Sequence, residues 1–359
     1  MKILDWYIIR KFVTTYIFAI VALSLIIVVF DTSEKIDDFV EKNAPLHAII
    51  FDYFGNSLPF FINTFSALFT FIAVIFFTSN MAGHTEIVAI LSNGVSFNRF
   101  LRPYMIVSIA ITIASVALSN FVIPNATASR YKFEERYVRR PFNNKEKNIH
   151  RQSSPGVLVY LESFNVRDQI GYKFSIEHIE DNRLLSKLSS SYAHWDTAID
   201  KWKMHNYTLR IFGDSSEQIS TGLSLDTALN VTGKEFSVRA DKLVETMSYT
   251  ELNEFIADLE LQGSVAINDA LIEKHKRIAY PMANFILTII GVTVSSRKTR
   301  GGMGLNIGLG IALSFGYILF QRFSEMFVQG NVLTPAVALW IPNILFAIVA
   351  GYMYYTTPK

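Results

Sequence analysis

The chain has 359 residues, 50% of them hydrophobic, and a formal net charge of +2 at neutral pH. Charged residues make up 18%, below the roughly 25% usual for globular domains, which argues against an ordinary soluble protein. So small a net charge selects no class of partner. The absence of cysteine excludes disulfide frameworks, thiol catalysis and cysteine-ligated metals.

Six apolar runs approach the roughly 20 residues that a membrane span requires: 12–30, 58–78 and 104–123 before a long polar stretch, and 278–296, 303–321 and 336–355 after it. The expected architecture is a polytopic α-helical membrane protein of six transmembrane helices, carrying one large water-facing insertion. Its divisions are expected at 1–125, 126–270 and 271–359. Run 12–30 follows Lys2, Arg10 and Lys11 but is too long for a signal-peptide core. It also leads into Asp31-Thr32-Ser33-Glu34 instead of a small-residue cleavage site, and so reads as a retained first span. Beyond it lies an acidic loop with Asp37, Asp38 and Glu41.

Between spans two and three, the residues from Gly83 to Gly94 read as a short helix. Ile87, Ile90 and Leu91 share one face, and Gly94 supplies a C-terminal stop. Arg99 and Arg102 follow. With Arg297, Lys298 and Arg300 between spans four and five, the basic short loops place both termini and these loops in the cytoplasm. The insertion is then external.

Within the insertion the apolar period changes to two. Tyr172, Phe174, Ile176 and His178 alternate with polar neighbours, as do Tyr207, Leu209 and Ile211. Turn residues between such strands argue an all-β sandwich, barrel or jelly roll. An apolar concave surface of that kind could hold acyl chains; a closed core with a purely structural role fits the pattern equally well. A short helix is expected next, with Ser248 and Glu251 at capping-box spacing, Leu252, Phe255, Ile256 and Leu259 on one face, and Gly263 at its end.

Catalytic signatures are lacking. The sequence contains neither G-x-x-x-x-G-K-[ST] nor H-E-x-x-H, and its seven histidines show no ligand spacing. No cofactor is expected on this chain, and no enzymatic activity of its own. Gly304 and Gly308 match the small-x-x-x-small pattern of close helix contacts.

Four segments occur in order around the insertion: Leu4-Asp5-Trp6-Tyr7-Ile8; Glu86 through Gly94-Val95-Ser96; His275-Lys276-Arg277-Ile278-Ala279-Tyr280-Pro281; and Leu333-Thr334-Pro335 with Trp340-Ile341-Pro342-Asn343. Together they resemble the LptF/LptG permeases of the lipopolysaccharide export ABC transporter, the opening segment leaning towards LptG although Trp6 replaces the usual arginine. The resemblance implies an inner-membrane heterodimer with a second such permease and a cytoplasmic ABC ATPase dimer that uses ATP and Mg. It also implies a periplasmic β-jelly roll that passes lipopolysaccharide to bridge proteins of the LptC and LptA type. Glu86 would meet a polar or basic groove on the ATPase, with Ile87, Ile90, Leu91 and Gly94 completing the coupling helix. Lys35, Arg130, Lys132 and Arg136 would pair with lipid phosphates, and Gly304 and Gly308 would line a gate between the two permeases. The alternatives are a mechanotransmission-type permease, whose insertion would follow span one instead of span three, and a membrane-anchored scaffold, which needs no coupling helix.

Overall fold

The structure, a computed structural model, describes residues 3–138, 144, 146–181, 183–213, 216–237, 240–264, 266–296 and 302–357. It divides into two compact units, Met1–Val138 with Leu271–Lys359, and Arg139–Ala270. Lys2, Arg297, Lys298 and Arg300, used for orientation above, lie outside the described residues.

The helical unit opens with α1 (Ile3–Glu41), 39 residues without a proline or glycine. At ~1.5 Å per residue it is about 58 Å long, well beyond the roughly 30 Å hydrocarbon layer. The acidic loop expected after span one is therefore a helix: Asp31, Glu34, Asp37, Asp38 and Glu41 continue α1. A short α2 (Leu46–Ala48) and a π-helical turn Ile49–Phe54 lead into α3 (Gly55–Thr64). The expected second span is broken at Phe65 (φ −97°, ψ 10°), and α4 (Ser66–Gly83) carries its apolar part. Then come α5 (Glu86–Ser92), α6 (Phe97–Ala117), a π-helical turn Leu118–Val122 and α7 (Ile123–Tyr137). Because helix continues through that turn, residues 126–138 belong to the helical unit, and the boundary expected at 125 moves to Val138.

After the second unit come α11 (Ile267–Ala279), α12 (Met282–Ser295), α13 (Gly302–Gln329) and α14 (Pro335–Tyr355). Among the described residues, four helical stretches are long and apolar enough to cross a membrane: Ile3–Glu41, Ser66–Gly83, Phe97–Tyr137 and Pro335–Tyr355. Counting α11 with α12, which meet at a 43° bend, makes five. The remaining expected run, 303–321, lies in α13, part of whose side chains fall outside the described residues.

The faces of α13 are inverted relative to a soluble helix. Ser314, Tyr317, Gln321, Ser324 and Val328 are buried, at alternating spacings of three and four. Leu309, Phe315, Leu319, Phe323 and Met326 are exposed. In water this arrangement would forfeit most of the burial free energy; in hydrocarbon the outer face is already solvated, and polar groups are the ones that must find partners inside. The bend between α11 and α12 shows how they do. Pro281 lacks an N–H and breaks the ladder, so Ala283 N–H bonds Tyr280 O instead of Ala279 O. The orphaned Ala279 carbonyl accepts from Asn343 Nδ2 at 2.8 Å. Asn343 Oδ1 in turn accepts from Tyr317 at 2.6 Å, whose hydroxyl accepts from Gln321 at 2.7 Å. Asn284 donates to Pro281 O at 3.0 Å and accepts from Thr70 at 2.8 Å.

The second unit is a single antiparallel sheet with three short helices. Its strands are β1 (Ile149–Ser154), β2 (Val157–Leu161), β3 (Ser163–Asn165), β4 (Ile170–Glu180), β5 (Arg183–Asp196), β6 (Lys201–Phe212) and β7 (Glu217–Thr227). They pair in the order β1-β2-β4-β5-β6-β7, with β3 also against β4. This is a meander; the Greek-key crossings of a jelly roll are not among the described pairings. One face carries an aromatic core of Phe164, Phe174, Trp195, Trp202 and Phe236, with Trp202 Nε1 donating to Val231 O at 2.7 Å. Phe236 comes from α8 (Gly233–Ser237); α9 (Ala240–Glu245) and α10 (Tyr249–Gln262) follow. The capping box at Ser248 and Glu251 is present, and Gly263 closes α10 at φ 60°. Leu252, Ile256 and Leu259 are buried. The two sheet edges differ: α10 packs on β1, while the outer side of β7 has no partner among the described residues and displays Ile219 and Leu223.

Candidate functional site

Two clusters in the helical unit contain almost every expected site residue, and α1 joins them. At the first, α4 turns into α5 through Thr85, a β-branched residue held at φ 61°, where such residues are rare. Gly94, at φ 81°, ends α5 in the left-handed region that glycine enters freely, with its N–H on Leu91 O at 3.0 Å. The apolar face of α5 points into its own bundle. Ile87 is buried in a core with Ile8 and Phe12 of α1, Met81 of α4 and Phe97, Phe100 and Tyr104 of α6, and Ile90 and Leu91 pack against it. The face left open is Val88, Ala89, Ser92 and Asn93. Ile87, Ile90 and Leu91 thus anchor α5 to this chain, and any partner meets the opposite side.

Glu86 Oε2 accepts a hydrogen bond from the Tyr7 hydroxyl of α1 at 3.0 Å. Two residues earlier on α1, Asp5 is held by Arg99 in a two-pronged pair at 2.5 and 2.7 Å. Fork-to-fork geometry is the strongest form of such a pair, and with Asp5 only 5% exposed either charge left alone would be costly. In the sequence, Asp5 and Tyr7 stand out only as part of the opening segment. No sequence spacing links residue 5 to residue 99, or 7 to 86; the fold alone makes these pairs.

The second cluster, an aromatic collar, lies on the extensions of α1 and α7 beyond their apolar runs. Phe39, Tyr53 and Phe133 pack mutually at ring distances of 5.3–5.9 Å. Lys35 reaches Asp31 at 2.6 Å and also bonds the Tyr53 hydroxyl, and that hydroxyl donates to Asp31 at 2.5 Å. Arg130 is 7% exposed, lies over the Phe60 and Tyr131 rings at 4.8 and 4.9 Å, and is 3.6 Å from Glu134. These two bases are committed to carboxylates of the chain itself. Lys132 and Arg136 are exposed and line a cleft of about 430 Å³ with His47, Asp52, Ser129 and Tyr137. The four expected lipid-pairing bases therefore divide into an internal pair and an open pair.

Among the described residues, the close glycine contacts within the helical unit are made by glycines other than Gly304 and Gly308. Gly304 and Gly308 are exposed, and a Cβ on either would meet nothing within 4 Å. Inside the unit, the close contacts belong to Gly291, whose Cβ would lie 2.9 Å from Val74, and Gly310, whose Cβ would collide with Ile75. These two seat α12 and α13 on α4. Arg322 and Glu325 of α13 pair with each other at 3.0 Å, and the Tyr280 hydroxyl bonds Glu325. No group of three metal-ligating side chains occurs among the described residues.

The chain thus combines helices long and apolar enough to span a membrane, a separate β unit and a short helix tied to α1 by a hydrogen bond. The family described as lipopolysaccharide export system permease LptF/LptG matches residues 6–356. The chain belongs to that family. No curated protein matches it. As an LptF/LptG permease it is a multi-pass inner-membrane transport subunit, not an ATPase, and the match spans both the helical unit and the β unit.

Proposed function

We propose that this LptF/LptG permease has six spans and is one half of a heterodimeric channel that a cytoplasmic ABC ATPase dimer drives to lift lipopolysaccharide out of the inner membrane. The observation that carries this reading is α5: a seven-residue helix whose apolar face is fully used within the chain, leaving a small, exposed face beside the Glu86 carboxylate for a partner. Arg10, Arg99 and Arg102 lie at or near that end, which favours the cytoplasm for it. The collar and the β unit then belong to the periplasmic side. The opening Leu4–Ile8 segment favours the LptG place in the pair.

At the collar, Lys132 and Arg136 are the bases free to meet lipid A phosphates, while Lys35 and Arg130 hold the walls. The exposed apolar faces of α1 and α13 suit contact with the second permease or with acyl chains, with Gly304 and Gly308 permitting a close approach between subunits. In the β unit, the open β7 edge with exposed Ile219 and Leu223 is the natural place for strand addition by a bridge protein of the LptC and LptA type. ATP and Mg act in the partner ATPase.

The experiment is purification of the chain from its native membrane with its partners, followed by identification of the bound lipid and measurement of ATPase co-purification. Recovery of a P-loop ATPase and lipopolysaccharide is expected, with ATPase lost on Glu86→Arg. Full coupling in both Glu86→Ala and Glu86→Arg would sink the docking role of α5, and a different lipid would point to another envelope process.

A further inference from the structure

The helix α1 is a continuous rod with polar ties near both of its ends, and between them its inner face packs along α4 while its outer face stays exposed. It contains no proline or glycine, the usual causes of kinks. Its buried residues are Asp5, Ile8, Phe12 and Ala19 towards one end and Phe39 at the other. Between them Phe18, Val21, Leu25, Val29 and Phe30 are 53–74% exposed. The first end is fixed to α6 by Asp5–Arg99 and to α5 by Tyr7–Glu86. The far end is fixed by Lys35, Asp31 and Tyr53 and by the ring contact of Phe39 with Tyr53. Among the described residues Glu86 takes a hydrogen bond only on Oε2. One carboxylate can thus hold α1 with one oxygen and a partner's donor with the other.

We infer that Tyr7 is a positioning residue for force transmission: its hydroxyl ties Glu86 of the docking helix to α1, so that α1 follows any movement of α5 and carries it to the collar. This rests on the reading that α5 docks an ATPase. The apolar contacts of Ile87 with Ile8 and Phe12 resist separation of the two helices but permit sliding, because dispersion and hydrophobic contacts are not directional. A hydrogen bond to a carboxylate has a defined length and angle, and it fixes the register between them. Tyr7 is 38% exposed, so loss of its hydroxyl alone leaves the packing in place.

The test uses the assembled complex, reconstituted with lipopolysaccharide, in wild-type, Tyr7→Phe and Glu86→Arg forms. Tyr7→Phe is expected to co-purify the ATPase and hydrolyse ATP like wild type while lipid moved per ATP falls about five- to ten-fold, the scale of one partly exposed hydrogen bond. Unchanged lipid per ATP would overturn the inference, and so would loss of ATPase co-purification, which would make Tyr7 part of the docking surface instead. Glu86→Arg that still binds and couples the ATPase would overturn the docking reading separately. As a second measurement, nitroxide labels are placed at the exposed positions Val88 and Phe18 through Val88→Cys and Phe18→Cys, which the absence of native cysteine makes specific. Their separation is expected to stay constant between nucleotide-free and ATP-bound complexes. A separation that changes between those states would overturn the inference without any substitution at Tyr7.

Discussion

Both units bury apolar side chains, but α13 of the helical unit turns a polar stripe inwards where the sheet of the β unit turns an aromatic one. In the β unit the interior is aromatic and the polar groups face outwards: Trp195, Trp202, Phe164 and Phe174 fill one face of the sheet. In the helical unit the buried stripe of α13 is serine, tyrosine and glutamine, and the phenylalanines lie outside. What differs is the solvent. Where water surrounds the fold, apolar area gains most by leaving it. Where hydrocarbon surrounds it, apolar area gains little by burial, and the interior is organised by hydrogen bonds and close contact of small residues. The Asn343–Ala279 and Asn284–Pro281 bonds do in the helices what the tryptophan cluster does in the sheet.

This contrast can be broken by substitution. The largest effect is expected for Trp202→Ala, which removes a fully buried ring and its bond to Val231 and should cost the β unit about 3–5 kcal/mol. Denaturant titration followed by Trp195 fluorescence measures this, and amide exchange in α4 and α12 should not change. Next is Gly310→Leu, which drives a side chain into Ile75; overpacking of this kind costs ~1–3 kcal/mol or more. Thermal inactivation in detergent should fall for Gly310→Leu and stay at the wild-type value for Gly304→Leu, where the chain offers open space. Replacing Asn343 by leucine, nearly the same size, leaves Ala279 O without its donor and should cost ~1–3 kcal/mol, read as faster exchange around the bend. If that variant were as stable as wild type, the hydrogen-bond account of the helical unit would fail.

The smallest effect concerns α10. Ser248→Ala removes the cap and should cost ~1 kcal/mol, seen as faster exchange over 249–262. The Glu251 carboxyl, which accepts from the Ser248 backbone N–H, is held below the usual carboxylate range by that bond. Its contribution is full above the ordinary carboxylate value and is lost as pH falls through the depressed one. Protection of α10 should therefore decline in acid in wild type, and less so in Glu251→Gln.

How far the sequence could be read depends on the range of the interaction. Length and composition were enough to find the apolar runs, and the Ser248, Glu251 and Gly263 pattern was enough to place α10, because caps act over three or four residues. The ends of α1 and α7 were not legible. Acidic residues after an apolar run read as a loop, yet Asp31 sits in helix because Lys35 and Tyr53 hold it there. The same blindness made all four collar bases look alike, although Arg130 is buried beside Glu134 and Lys132 is open to a cleft.

By itself, then, the sequence determined the class of protein, the insertion between two helical groups and the family, since each follows from local composition, local period or short ordered motifs. The tertiary structure decided which face of α5 is free, that Asp5 meets Arg99 and Tyr7 meets Glu86, and which glycines are in contact. Each of those depends on residues far apart in the chain being brought within a few ångströms, and no local period encodes that.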